Sequence, residues 1–416
     1  MGAIASSEAR GRSVAGMSPR ILLAWEGGAG RGHVVTLGRV ARAMAGLAQC
    51  DAALGWMTHA EEIAPWCTQV FPGVALPYDR AGRAARGAPP NATWADYLHD
   101  CGLGDGARLK ANVAWWLDTM ARRAIDLVVG DYAPCALLAA RIAGIPALAI
   151  GTGYGIPPPG LHRFPVFLPD YAVREADEAA MVATVNAALG PLGLPRLHHL
   201  PEIYAGSGAI VRSLPFLDPY ASAREPDAYL PPVASYVPPG AAGAGTRVFC
   251  YLSTTELAHA GLVEALIGCG LPLLCYLPGA DPAIVAQLRA AGAEVADGPV
   301  PVATIAASAR LMLNSGQHGT VCMGLGAGLP QVCIPQHLEQ LHVARRLAET
   351  GAARVIAPRH APAEVIISTL HAAWNDQAMA RRARELAADL APVLAQDDGP
   401  LLRPRLMPWL PTAARG

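Results

Sequence analysis

Residues 311–340 read LMLNSGQHGTVCMGLGAGLPQVCIPQHLEQ. The apolar run at 311–314 closes on Asn314, and Ser315, Gly316, Gln317, His318, Gly319 and Thr320 then turn the chain. A short apolar run bounded by glycine reads as a buried strand, and the turn after it opens a helix. Gly326-Ala327-Gly328-Leu329-Pro330 ends that helix, residues 331–334 form the next strand, and Glu339-Gln340 begins another loop–helix junction. Strands alternating with helices over so short a stretch imply a parallel sheet covered by helices. The amides of Gly319 and Thr320 and the Thr320 hydroxyl suit a phosphate held at the helix start. Plain helix capping is the competing explanation for each residue taken alone.

The alternation extends in both directions. Strands are expected at 247–252, 271–277 and 294–296, and helices at 257–269, 283–291 and 341–350. Upstream of 247 the composition changes. Pro231, Pro232, Pro238, Pro239, Gly240, Gly243 and Gly245 make residues 231–246 a stiff, turn-rich linker. Ahead of it come strands at 21–25, 52–57, 126–129 and 147–150, with helices at 36–47, 136–143 and 178–190. Two such modules leave a cleft faced by the carboxyl ends of their strands, and clefts of this kind bind ligands.

The whole-chain arithmetic agrees with a folded two-domain protein. A length of 416 residues allows two to three domains, and 52% hydrophobic against 16% charged residues excludes a disordered chain. The net charge of −1 argues against a general nucleic-acid binder, which needs excess positive charge to replace counterions. No apolar run is long enough for a transmembrane helix, and residues 1–19 read as a tail without the apolar core of a signal peptide. The 9 cysteines are odd in number and form no CxxC, as expected for free thiols in a reducing cytoplasm. Lys110 is the only lysine beside abundant Arg, Ala, Gly and Pro, the mark of GC-rich, bacterial coding.

The loop after the first strand reads Glu26-Gly27-Gly28-Ala29-Gly30-Arg31-Gly32-His33. Gly28, Gly30 and Gly32 allow close backbone approach, but their spacing is not that of a dinucleotide-binding loop. His33 opens on the cleft with an ordinary pKa near working pH, which suits a general base. Asp131 ends the apolar strand at 126–129, where a carboxylate is costly unless paired. Parallel topology can bring it to His33 as an orienting partner. A lone histidine that is merely structural, and an aspartate that caps the next helix, are the bland alternatives.

Gly319-Thr320, the Ala-Gly-Leu-Pro turn, the Pro-x-x-x-Glu-Gln loop and Gly351-Ala352-Ala353 together resemble the nucleotide-sugar signature of the UDP-glycosyltransferase superfamily. Natural-product and macrolide glycosyltransferases belong to it. Gly32-His33 and the strand ending in Asp131 resemble it too, so the similarity runs from Ile21 over nearly the whole chain. The resemblance implies an α/β GT-B fold with two Rossmann-like domains: an acceptor-binding domain at 20–230, a donor-binding domain at 247–385, and a segment at 386–416 crossing back to the first domain. It further implies His33 as catalytic base and Asp131 as its partner. Ser253 and Thr254 match the loop near the donor phosphates, Val300 the residue whose backbone meets the nucleobase, and Glu339 and Gln340 the pair that binds sugar hydroxyls. Ser315, Gly316, Gln317, His318, Gly319 and Thr320 occupy the diphosphate loop, and Gly28, Gly30 and Gly32 the acceptor-side loop.

Two positions depart from the family pattern. Ser315 stands where a histidine usually donates to the diphosphate. Met323 stands where many members carry a glutamate for the ribose hydroxyls. A 2′-deoxy nucleotide misses that contact less, which keeps dTDP-sugars beside UDP-sugars as donors. The expected activity is inverting and metal-independent transfer to a hydroxyl of a small apolar or aromatic acceptor, without a cofactor, by a cytoplasmic monomer or homodimer. Trp66, Trp94, Trp115, Trp116, Tyr154, Phe164 and Phe167 lie in segments expected to line the acceptor site. Rival readings are a non-catalytic helper of a partner enzyme, a membrane-surface lipid glycosyltransferase and a sugar-nucleotide epimerase.

Overall fold

A computed structural model describes residues 18–411, except 29, 80–81, 83–84, 86, 88–89, 169, 171–175, 235, 238–244, 253–255 and 358–360. Among the described residues thirteen strands form two sheets. The first comprises β1 (Arg20–Trp25), β2 (Gln49–Leu54), β3 (Gln69–Pro72), β4 (Leu127–Asp131), β5 (Ala147–Gly151), β6 (Gly208–Arg212) and β7 (Tyr229–Leu230). The second comprises β8 (Arg247–Tyr251), β9 (Leu273–Tyr276), β10 (Glu294–Ala296), β11 (Ala309–Asn314), β12 (Gln331–Cys333) and β13 (Ala353–Val355). Their orders are β3-β2-β1-β4-β5-β6-β7 and β10-β9-β8-β11-β12-β13, with parallel pairing throughout. This is the doubly wound α/β architecture expected from the sequence.

The period of two along each strand divides its side chains between two cores. In the first sheet Leu22, Ala24 and Val128 enter one cluster, while Ile21, Leu23, Trp25, Leu127 and Val129 enter the other. Both faces are covered, which is why these strands read as continuous apolar runs. In the second sheet Val248, Cys250, Leu311 and Leu313 face one core, and Phe249 and Met312 another.

Several boundaries differ from the sequence reading. The first helix spans Arg31–Met44, so the glycine-rich loop is shorter than expected and His33 lies in the first helical turn. Glycine at 30 and 32 masked that turn. The helix expected at 257–269 is Ala260–Gly268. Strands β3, β6, β7 and β13 were not legible: β3 is half exposed and ends in Pro72, and β7 has two residues. The helix Gly106–Arg122 was also missed. All nine cysteines are unpaired, and eight are buried. No helix among the described residues is long and apolar enough to cross a membrane.

The C-terminal helix Asp398–Leu406 packs on the first sheet. Leu402, Leu406 and Leu410 join Val34, Leu37 and Val40 of the first helix in one core. Arg403 Nε donates to the Ala43 carbonyl at 2.6 Å, and Asp398 pairs with Arg39 and Arg212.

Candidate active site

Adjacent strands build the first half of the site. β1 and β4 are neighbours in register, with Trp25 beside Asp131. Both strands end there, so Asp131 projects where the chain after Trp25 turns into the first helix. His33 returns over Trp25, its ring stacked at 5.1 Å and 22°. This places His33 Nδ1 3.1 Å from Asp131 Oδ1. Gly28, at φ +79°, is required: a Cβ there would lie 2.6 Å from His33 Nε2. The same glycine keeps open the space that Nε2 faces.

The two loops are stitched together. Gly27 N–H donates to the Tyr132 carbonyl at 2.9 Å, and Gly28 N–H to the Tyr97 hydroxyl at 2.6 Å. Trp25 Nε1 donates to the Gly27 carbonyl at 2.7 Å. Glu26, fully buried, accepts from the amides of Cys135 and Ala136 at 2.9 Å each. Those amides begin the helix Pro134–Ala143 that follows Asp131. Gly30 caps the first helix, and Gly32 lies exposed in its first turn.

Burial opposes a charged His33, but the charge and hydrogen bond of Asp131, with the charge of Glu339, outweigh it and raise the pKa. Glu26 is pushed up to about 8 by burial, against the two amide donors that favour its charged form. Burial also raises the pKa of Glu339, opposed by the neighbouring hydroxyls of Tyr132 and Thr152 and by His33. Glu339 therefore sits at the base, although it belongs to the second domain. Thr152 Oγ1 donates to its Oε1 at 3.0 Å across the cleft.

An aromatic wall adjoins His33. Tyr132 tilts against it at 4.9 Å, and Trp94, Tyr97, Tyr154 and Phe167 continue the contact. Tyr78 stacks on Tyr97 at 5.7 Å and is 37% exposed, so this end of the wall is open. Of the aromatics expected near the acceptor, Trp94, Tyr154 and Phe167 belong to this wall. Phe164 and Trp116 are core residues, while Trp66 and Trp115 are exposed. Sequence reasoning missed Trp25, Glu26, Tyr97 and Thr152. It also missed Tyr132, although that residue directly follows Asp131.

The second-domain loop is quieter. Gly316 (φ +81°) is held against the helix Leu338–Glu349, where a Cβ would meet the Gln340 carbonyl at 2.7 Å. Ser315 is fully buried, and its hydroxyl donates to the buried Glu256 carboxylate. It therefore faces the interior rather than the cleft. His318 is buried too, with Nε2 2.8 Å from Ser213 Oγ, and burial lowers its pKa to about 4. It is a neutral packing residue at the domain junction. Gln317 precedes the helix His318–Gly326, whose first carbonyl–amide bond runs to Val321, ahead of which stand Gly319 (exposed) and Thr320 (half-buried). Gln340 is buried, and its Oε1 accepts from the Gln336 amide at 2.8 Å.

Val300 is half-buried and lines a cavity of about 270 Å³. It packs with Met323 and the stacked pair Tyr251–Tyr276 on one core. Ser253 and Thr254 lie outside the described residues, as do Pro238 and Pro239 of the linker and most of the tail at 1–19. One group of three candidate metal ligands occurs among the described residues: His59, Glu61 and Glu62. Arg31 Nε already holds Glu62 at 2.6 Å.

No family model matches this sequence, and no curated protein matches it. Solved structures do. The calicheamicin glycosyltransferase CalG4 is similar over 94% of this chain and 98% of its own, with a TM-score of 0.67 at 16% identity. The glycosyltransferase of kitacinnamycin is similar over 95% and 100%, with a TM-score of 0.63 at 18% identity. Glycosyltransferase VinC, solved in complex with dTDP, is similar over 95% and 100%, with a TM-score of 0.60 at 16% identity. The chain thus has the two-domain GT-B fold seen in these glycosyltransferases.

Proposed function

We propose that this protein is an inverting glycosyltransferase that moves a sugar from a nucleoside diphosphate to a hydroxyl of a small, largely apolar acceptor. The observation that carries the reading is the His33–Asp131 pair at the cleft ends of two adjacent strands. A neutral imidazole takes the acceptor proton at Nε2 as the oxygen attacks the anomeric carbon. Asp131 holds Nδ1–H, fixes the tautomer and stabilises the imidazolium that forms. Attack from the side opposite the leaving group inverts the anomeric centre. Negative charge then grows on the departing diphosphate, met by the amides at the start of the helix His318–Gly326 and by the Thr320 hydroxyl. The proposed reaction uses no metal, because these donors supply the electrostatic term.

Tyr78 and Tyr97 offer a flat apolar surface beside the base, which favours an aromatic or otherwise flat acceptor. The donor is proposed to be a dTDP-sugar. Met323 offers no acceptor for a ribose 2′-hydroxyl, and the similar VinC was solved with dTDP. Purified protein given dTDP- and UDP-sugars with a panel of phenolic and macrolide acceptors tests both statements. Transfer with an inverted linkage and faster turnover of dTDP-sugars is the expected result. A clear UDP preference sinks the donor assignment, and no transfer or donor hydrolysis at all sinks the activity. The helper reading leaves the assembled base without a use.

A further inference from the structure

Ile21, Leu23 and Trp25 lie on one face of β1 and share a core with Val34, Leu37 and Val40 of the first helix. His33 stands four residues before Leu37, so it lies on the same side of that helix and meets the last residue of that strand face, Trp25. The two rings stack, with centroids 5.1 Å apart and 22° between their planes. Tyr132, a non-glycine residue with a left-handed backbone at φ +46°, tilts against the imidazole at 4.9 Å and 55°. Packing alone asks for less than an indole at the strand end, since Ile21 and Leu23 fill the same core. The indole is also fixed in place. It is 2% exposed, its Nε1 donates to the Gly27 carbonyl at 2.7 Å, and the half-buried Trp56 packs against it at 5.1 Å. The Gly55 amide donates to the Trp25 carbonyl at 2.7 Å, where a Cβ on Gly55 would stand 3.1 Å from the same oxygen.

The charged groups set around the imidazole are Asp131 of β4, at Nδ1, and Glu339 of the second domain. The Tyr132 phenol is neutral, held so by burial. Arg31, two residues away on the same helix, is taken by Glu62. An aromatic face within about 6 Å of a cation attracts it through the ring quadrupole, most strongly for tryptophan and more where water is excluded. We propose that Trp25 is a positioning residue for the base: its indole face fixes the imidazole plane and attracts the imidazolium that forms when His33 takes the acceptor proton. This deepens the glycosyl-transfer reading above and rests on it. The acceptor O–H bond breaks, its proton passes to Nε2, and the oxygen uses the electron pair to bond the anomeric carbon. The diphosphate leaves with the pair of the bond that held it. Positive charge thus appears on a ring already lying on an electron-rich face. The same face keeps Nε2 turned toward the space that Gly28 leaves open.

Nuclear magnetic resonance titration of the His33 ring, identified by the signal lost in His33→Gln, reads its proton affinity directly. The series is wild type, Trp25→Phe, and protein carrying mono-, di- or trifluorotryptophan at position 25 alone. Fluorine drains the indole face and leaves its size nearly unchanged, so the fluorinated proteins keep the test open if Trp25→Phe fails to fold. The His33 pKa is expected to fall stepwise with fluorine, by about half a unit to one unit in all. The inflection of the pH–rate profile should fall with it. Across the series kcat should drop about three- to tenfold while donor and acceptor KM stay within about twofold, because the interaction is made only once charge has formed. A His33 pKa that stays constant across the fluorinated series overturns the proposal, and so does a change confined to KM or to the thermal midpoint. A wild type that transfers no sugar overturns the glycosyl-transfer reading instead. The titration needs no substrate and still decides whether the indole favours the imidazolium.

Discussion

The two glycine-rich turns of this molecule, one after β1 and one after β11, each follow a central strand of a parallel sheet, yet they are furnished in opposite ways. The turn after β1 is crowded with titratable and aromatic groups that support one another: Trp25 under His33, Asp131 beside it, and Glu26 tying both loops together. The turn after β11 presents backbone. Its two conspicuous side chains face the protein, Ser315 toward Glu256 and His318 toward Ser213. In the proposed reaction, positioned charge serves the acceptor proton, while the diphosphate is left to oriented amides and one hydroxyl. A near-neutral chain can hold a doubly charged leaving group in this way.

Substitution on each side breaks or sharpens that contrast. The largest effect is expected on the first side. His33→Ala should reduce kcat by at least about 100-fold, the usual worth of a general base, in steady-state assays. Near-normal turnover would mean that the crowded turn is architectural. Asp131→Asn should cost about tenfold or more and also move the pH profile. In the proposed mechanism the base works neutral, so wild-type rate should rise with pH and level off above a pKa higher than the ordinary 6.5. Without the Asp131 charge, burial is opposed only by Glu339, and the inflection should fall to lower pH. An unmoved inflection removes Asp131 from the pair.

Smaller effects are expected on the second side. Thr320→Val should raise the donor KM about tenfold, the range for a hydrogen bond to a charged group. Ser315→Ala should change it less than about threefold but lower stability by about 1–3 kcal/mol, because Glu256 loses a buried donor. A large KM effect with unchanged stability would put Ser315 back on the diphosphate. The smallest effect concerns Glu26 and is read in stability. Its folded pKa of about 8 lies above the ordinary 4.5. Its contribution is thus fully present below about pH 4.5 and is lost as pH rises through about 8. Melting temperatures between pH 5 and 9 should fall with pH in wild type and flatten in Glu26→Gln. Parallel curves would show that Glu26 does not titrate in this window.

The fold was legible where apolar runs meet glycine. Strands β1, β4, β8 and β11 were found because both their faces are buried. β3 and β13 escaped because edge strands need less apolar material, and the first turn of the helix Arg31–Met44 was hidden by its glycines. The identities of His33 and Asp131 could be read, and so could the chance of their meeting, since parallel order alone permits it. The direction of a side chain could not be read. Ser315 and His318 sit in the expected loop, but the partners that turn them inward, Glu256 and Ser213, are far away in sequence. Tyr132 carried a visible name and an invisible backbone angle.

The helix at Asp398–Leu406 has a consequence for how the chain is made. Leu402, Leu406 and Leu410 complete a core whose other walls are laid down by residues between Ile21 and Leu230. A ribosome delivers those walls first and must then make the whole second domain before the missing face arrives. Cotranslational folding of the first domain therefore ends with an open apolar groove, held in waiting while the second domain is made. A chain interrupted after the second domain leaves that groove bare, and exposed apolar surface of this kind favours aggregation.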